Sequence, residues 1–224
     1  MRIATWNVRG IGTVNKRCMV KNLIKKDHQD LIGLTEMKHS NFSHWDAVKL
    51  WGHQTGDHVH VPAIDGSGGL IIAWHKDSFR QTNCTAGQRW ICVCGEFMKE
   101  QFQCAICLLY APNDNQRRLQ VWNQLRSMKI YINVTLLLIG DFNEVLVSSE
   151  RRGAAQNTAS MRDLQKLVHN MELIDLQFNK QFTWMRKNSA RRIDRILGIR
   201  RCLQFFQILG HTVEKGCFHT IFQL

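Results

Sequence analysis

The chain has 224 residues, enough for one large α/β unit, and 44% of them are hydrophobic, so a core can form without metal or disulfide staples. With 30 basic residues against 18 acidic ones, the net charge is +12, which points to a polyanionic partner: nucleic acid or an anionic membrane surface. No apolar run approaches the ~18 residues that a membrane span needs. Met1–Gly10 holds no apolar core of signal-peptide type. The basic residues are dispersed rather than gathered beside a hydrophobic helix, so membrane attachment is not expected, and an intracellular, reducing compartment is.

In chain order, Arg2–Val8 predicts a strand, Asn15–Lys26 a helix with Met19, Val20, Leu23 and Ile24 on one face, and Asp30–Leu34 a second strand. Gly66–Leu70 predicts a turn feeding the apolar run Leu70–Trp74. Trp90–Phe97 and Phe102–Tyr110 predict an antiparallel pair joined by the polar turn Met98–Gln101. Asp114 can cap a helix running through Leu119, Trp122, Leu125 and Met128. Val134–Gly140 is a near-continuous apolar run, as in a strand covered on both faces. Ala159–Met171 predicts a helix; Phe182–Trp184, Ile193–Leu197, Leu203–Ile208 and His219–Phe222 predict later strands. Many strands interleave with few helices and no boundary is visible. The expectation is therefore a single domain over residues 1–224, with two packed, mainly antiparallel or mixed β-sheets flanked by helices in a four-layer α/β sandwich.

Cys92, Cys94, Cys104 and Cys107 lie inside apolar, strand-like runs. Zinc or redox chemistry would place such thiols on loops or at a helix start, so these read as buried, reduced core residues.

Polar residues cluster where apolar strands end: Trp6-Asn7, Glu36, Tyr110-Ala-Pro-Asn113, Gly140-Asp-Phe-Asn143, Arg192-Ile-Asp-Arg195 and His219. Strand ends at one edge of a packed sheet are where a rigid scaffold can hold reactive side chains within reach of solvent. The set supplies three carboxylates, three carboxamides, a phenol and an imidazole. Oxygen ligands without thiolate favour Mg²⁺ or Mn²⁺ over Zn²⁺, and phosphodiester hydrolysis needs such a mixture of metal ligands, base and donors. Each residue alone has a plainer reading. Asn7, Asp141 and Asn143 could be turn formers, Glu36 a surface carboxylate, Tyr110 a core residue with a wet hydroxyl, Asp194 part of an ion pair with its arginine neighbours, and His219 one of ten histidines.

Taken together and in this order, these motifs resemble the endonuclease/exonuclease/phosphatase (DNase I-like) superfamily. Val8-Arg-Gly10, Gly140–Val145, Glu150-Arg-Arg-Gly153, Phe182-Thr-Trp184 and Arg192–Leu197 are similar to the endonuclease domain of plant LINE-type retrotransposons. The resemblance implies a Mg²⁺-dependent (or Mn²⁺-dependent) hydrolase that nicks DNA, acting as a monomer in the nucleus. In it Glu36 is the principal metal ligand with Asn7 beside it. Asp141 positions or deprotonates the attacking water, Asn143 orients that water and holds the phosphate, and Tyr110 donates to a phosphate oxygen. His219 binds the scissile phosphate or acts as acid/base, and Asp194 fixes its tautomer. Arg9 falls within one of the resembling motifs and is a candidate substrate contact.

The sequence departs from the family at Thr35, which precedes Glu36 where the family commonly has Gln, and before its last strand. The family has Ser-Asp-His before its last strand, where this chain has Gly216-Cys-Phe-His219. Phe218 occupies the position of the Asp, and a phenyl ring cannot ligate Mg²⁺, so impaired catalysis is expected; an inactive nucleic-acid-binding remnant and a superfamily phosphatase stand as alternatives. Basic doublets read as surface, and two of them, Arg151-Arg152 and Arg191-Arg192, as flanks of a phosphate-binding groove. The resemblance further implies that the segment Met185–Arg191, with Arg186 and Lys187, is a hairpin that senses DNA shape, with Thr183 contacting a nearby phosphate.

Overall fold

The structure, a computed structural model, describes residues 1–40, 42–51, 56–64, 66–153, 158–176 and 182–200, together with the backbone of strands at 207–214 and 217–223. The elements run β1 (Arg2–Asn7), α1 (Val14–Lys26), β2 (Leu31–Thr35), α2 (His44–Trp51), β3 (Gly56–Ile64), β4 (Ser67–His75), β5 (Phe79–Gly87), β6 (Trp90–Phe97), β7 (Phe102–Tyr110), α3 (Asn115–Lys129) and β8 (Thr135–Asp141). After a 3-10 turn at Ser148–Glu150 come β9 (Arg151–Arg152), α4 (Ala159–Asn170), β10 (Leu173–Asp175), β11 (Trp184–Arg186), β12 (Ser189–Arg191), β13 (Asp194–Ile199), β14 (Gln207–Glu214) and β15 (Cys217–Gln223).

Two six-stranded sheets result, ordered β14-β15-β1-β2-β4-β3 and β10-β13-β8-β7-β6-β5, and a small third sheet is ordered β11-β12-β9. Pairing is antiparallel except for β1 with β2 and β7 with β8. The strand period of two sorts the apolar residues to both sides of each sheet. On β1, Ile3 joins the core between the sheets, whereas Ala4 and Trp6 pack under α1 and α2 with Val20, Leu23 and Leu50. On β8, Leu137 and Ile139 face the opposite sheet, whereas Leu136 and Leu138 pack under α3 and α4 with Trp122, Leu125 and Leu164. These are the four expected layers, and the Val134–Gly140 run is covered on both faces as its composition required.

Local chemistry sets the helix starts. Thr13, Asp114 and Thr158 each accept a hydrogen bond from the backbone three residues on, which satisfies an otherwise orphaned N–H. Cys92, Cys104 and Cys107 are buried free thiols and Cys94 is half-buried, in line with core residues.

Several boundaries differ from expectation. The segment read as a turn at Gly66–Leu70 is already strand from Ser67, because β3 pairs with it down to Ile64↔Ser67. The strand expected at Phe182–Trp184 sits two residues later, where Trp184 pairs with Arg191. Of the expected strand Leu203–Ile208, residues 203–206 lie outside the described residues and β14 begins at Gln207. Helix α2 and strands β3, β5 and β10 carry no periodic signal that sequence reading found.

Candidate active site

The ends of β1 and β2 lie side by side, with Asn7 opposite Thr35. The chain then leaves β2 through Glu36, whose backbone is in the left-handed region at φ 52°; for a non-glycine residue that conformation costs about 1–3 kcal/mol. It turns the Glu36 side chain back toward Asn7. The Asn7 amide nitrogen donates to Glu36 Oε1 at 3.1 Å and to Asp141 Oδ2 at 3.2 Å. One carboxamide therefore joins carboxylates from the two opposed sheets.

On the second sheet, Tyr110, Asp141 and Asp194 form a row across β7, β8 and β13, Asp141 pairing with both of the others. The row depends on Gly140, at φ 122°, where a Cβ would come within 2.2 Å of the Leu109 carbonyl oxygen. Asn143 closes the motif: its backbone N–H donates to Asp141 Oδ1 at 2.8 Å and its Nδ2 to the Ala111 carbonyl at 2.6 Å. Asn143 is also left-handed, at φ 50°.

The electrostatics are those of concentrated, poorly offset negative charge. Asp141, 4% exposed, is pushed well above the usual carboxylate range by burial and then by Asp194, with Glu36 adding to it; the N–H of Asn143 and the amide of Asn7 only partly oppose this. Burial also raises Asp194, to about 6, while the Thr183 hydroxyl and the charges of Arg9 and Arg195 pull it down. The Tyr110 phenol is raised by burial and by Glu36, to which it hydrogen-bonds.

Such a set fits a hard divalent cation. Among the described residues no three His, Cys, Asp or Glu side chains form a metal cage by themselves. A cation here would take the carboxylates of Glu36 and Asp141 with the Asn7 amide oxygen. Mg²⁺ is commonly held in that way, by one or two carboxylates with its other positions left to water and substrate phosphate.

The other predicted residues divide. Arg9 is exposed and close enough to Asp194 to hold its carboxyl down. His219 pairs with Trp6 across β1 and β15, which puts its backbone one position from Asn7; the side chains of His219 and Phe218 lie outside the described residues. Thr183 was expected on a phosphate, but it is 4% exposed, and its hydroxyl accepts from the N–H groups of Ile193 and Asp194 at 3.0 Å each. It holds Asp194 in place. Arg151 was expected beside the groove, and its guanidinium is paired with buried Glu144. Arg186 is exposed on the β11–β12 hairpin beside exposed Lys187 and Met185. Arg152 and Arg191 stack on Phe182 and Trp184, at 5.4 and 5.6 Å from the ring centroids, a contact that leaves a guanidinium's N–H fork open to a phosphate.

Arg192 corrects the reading of the doublets. It is 1% exposed and pairs with Glu150 and Asp175, each at 2.6 Å, and Arg195 joins the same two acids. The doublet Arg117-Arg118 behaves likewise: Arg118 is buried against Glu144 and Ser160. Sequence reading missed Glu144, Glu150 and Asp175 as partners because the acids that neutralise these arginines lie 17 to 45 residues away in the chain.

The molecule is thus a two-sheet sandwich with an acid–amide cluster where its strands end. Residues 4–198 match the model of the Endonuclease/Exonuclease/phosphatase family, and the chain belongs to that family. Among solved structures it is similar to the AP endonuclease LMAP from Leishmania major (TM-score 0.79, 13% identity, covering 100% of this chain and 87% of that one). It is also similar to the endonuclease domain of TRAS1, a telomere-specific non-LTR retrotransposon (0.74, 12%, 100% and 97%). A third similar structure is the mannosyl-6-phosphatase Bt3783 from Bacteroides thetaiotaomicron (0.64, 15%, 100% and 98%). At these identities the likeness is one of fold. Among curated proteins no sequence match was found.

Proposed function

We propose that the chain is a Mg²⁺-dependent DNA-nicking endonuclease of retrotransposon origin, close to the plant LINE type, with catalysis impaired by Phe218. The observation that carries this reading is the Asn7 amide held between Glu36 and Asp141, with Tyr110, Asn143 and Asp194 around them. A bound divalent cation would supply positive charge to a phosphate oxygen. The residues do the rest. Asp141, whose two carboxylate oxygens accept from the Asn143 N–H and the Asn7 amide, positions the attacking water. Asn143, fixed on Ala111, orients that water, and the Tyr110 phenol, kept neutral, donates to the phosphate. Asp194, held by Thr183, is the partner for the His219 imidazole.

DNA as substrate is supported by the net charge of +12 and by the basic β11–β12 hairpin at the end of the sandwich that carries Asp194. A long polyanion uses such dispersed charge, whereas a small phosphate ester does not; the similarity to the TRAS1 endonuclease domain points the same way. The test is nicking of supercoiled plasmid in Mg²⁺, with the chain as it stands and with Phe218→Asp. Weak nicking that rises at least about tenfold in the variant, and vanishes with chelator, is expected. Equal nicking by both would remove the impairment, and cleavage of phosphate monoesters in place of plasmid would favour the phosphatase reading.

A further inference from the structure

A cleft of about 310 Å³ lies between α1 and α2, outside the acid cluster, at the small end of the range of ligand-sized pockets. Its floor is apolar: Ile11, Phe42 and Leu50. Val14, 66% exposed, forms its lip. Three cations line it, Arg17 and Lys21 from successive turns of α1 and Lys49 from α2. The one carboxylate present, Asp46, accepts from the N–H and hydroxyl of Ser43 on Oδ2, at 2.9 and 2.7 Å, and feels the charges of Lys49 and His39; one carboxylate does not offset three cations. His39 also lines the cleft, and its Nδ1 is buried with no hydrogen-bond partner among the described residues. A buried polar nitrogen without a partner is unfavourable unless a ligand or water meets it.

The cleft is wired to the catalytic end. The segments 9–11 and 36–39 run side by side from the acid cluster to it, joined by Gly10 N–H to the Glu36 carbonyl at 2.7 Å and Ile11 N–H to the Met37 carbonyl at 3.1 Å. Helix α1 contributes Lys16, Arg17, Lys21, Lys25 and Lys26 and no acid to this side of the molecule. An apolar floor beside a cationic rim is the chemistry of a nucleotide: a flat base to desolvate, a phosphate to neutralise.

We propose that the α1–α2 cleft is a nucleotide subsite, taking an unstacked base against Ile11, Phe42 and Leu50 while Arg17, Lys21 and Lys49 hold its phosphate. Its place in DNA recognition rests on the nuclease reading above, but its ligand chemistry is independent of cleavage. A strand leaving the acid cluster along residues 9–11 would deliver one of its nucleotides here. Such a contact favours single-stranded or locally opened DNA over an intact duplex, since unstacking a base has a cost.

The test is calorimetric titration of the whole chain with 2′-deoxyadenosine 5′-monophosphate, the unphosphorylated nucleoside and inorganic phosphate, alongside NMR of the His39 ring. The expected result is that the nucleotide binds at least about tenfold more tightly than either fragment and shifts the His39 resonances. The double variant Lys21→Ala/Lys49→Ala should lose at least about tenfold in nucleotide affinity with its melting temperature unchanged. Phosphate binding as well as the nucleotide, no binding at all, or an unaffected double variant would each overturn the subsite. Nucleotide binding by a chain that never nicks plasmid would leave the subsite standing and remove the nuclease reading; nicking without nucleotide binding would do the reverse.

Discussion

Two clusters of charged side chains sit near the same end of the molecule and are built on opposite principles. Glu36, Asp141 and Asp194 are gathered with like charge against like, and both Asp141 and Asp194 are pushed upward from the carboxylate range. Glu150 and Asp175 meet Arg192 and Arg195, opposite charge against opposite charge. Burial alone would raise Glu150, but hydrogen bonds and charge from Arg195 and Arg192 bring it down to about 2. The first cluster stores unfavourable free energy that a cation can relieve; the second holds the scaffold. They are also connected. Arg192 and Arg195 flank Asp194 in sequence, and the Glu150 carbonyl accepts from the Arg192 N–H at 3.0 Å. The neutral, rigid cluster thus fixes the strand that carries one member of the repelling one.

Removing one side of each cluster should therefore have opposite signs. The largest effect is expected from Glu150→Ala, which leaves two buried guanidinium groups sharing a single acid and should cost about 3–5 kcal/mol in urea unfolding. A loss below about 1 kcal/mol would show the pairing to be replaceable. Acid titration of stability sharpens the same contrast. Glu150 has a folded value below its ordinary 4.5, so its contribution is fully present above pH 4.5 and is lost as pH falls toward about 2. Asp194 has a folded value of about 6, above its ordinary 3.8, so the folded state takes up a proton first and metal-free stability rises as pH falls from about 6 toward 3.8. Stability of the metal-free protein should thus peak in mildly acidic solution. Glu150→Gln should flatten the acid limb, and Asp194→Asn the limb above it.

A smaller change of the other sign is expected from Asp141→Asn. Without metal it should stabilise the fold by about 1 kcal/mol, since it removes a buried like charge. A destabilised variant would mean that the acid cluster is internally satisfied. The smallest effect concerns the hairpin. Arg186→Ala/Lys187→Ala should leave melting unchanged while weakening DNA binding and lowering the salt slope by about 2. An unchanged slope would take the hairpin out of the DNA interface.

What could be read from the sequence follows from how local each signal is. Val134–Gly140 announces a doubly covered strand because its centre, Leu136–Ile139, is apolar without a break, and Asp114 announces its helix because a cap acts over three residues. Strand β5 was invisible: its Arg80–Thr85 stretch is almost wholly polar and solvent-facing at a sheet edge, and only pairing with β6 makes it a strand. The acid–amide cluster was legible as residue types at strand ends, while the contacts from Asn7 to Glu36 and Asp141, 29 and 134 residues away, were not. Arg192 and Arg118 misled because a doublet looks like surface until its distant carboxylates are found. Thr183 misled in the same way, its hydroxyl being turned inward to Asp194.

The direct test of the central claim is thermal melting of the chain against rising Mg²⁺ or Mn²⁺, beside Glu36→Gln and Asp141→Asn. If the repelling acids form a cation site, the unaltered chain gains stability with metal concentration, by about 2.7 kcal/mol at a hundred times the dissociation constant, and both variants lose that gain while starting no less stable. Metal stabilisation that survives in both variants, or is missing from the unaltered chain, would contradict the account.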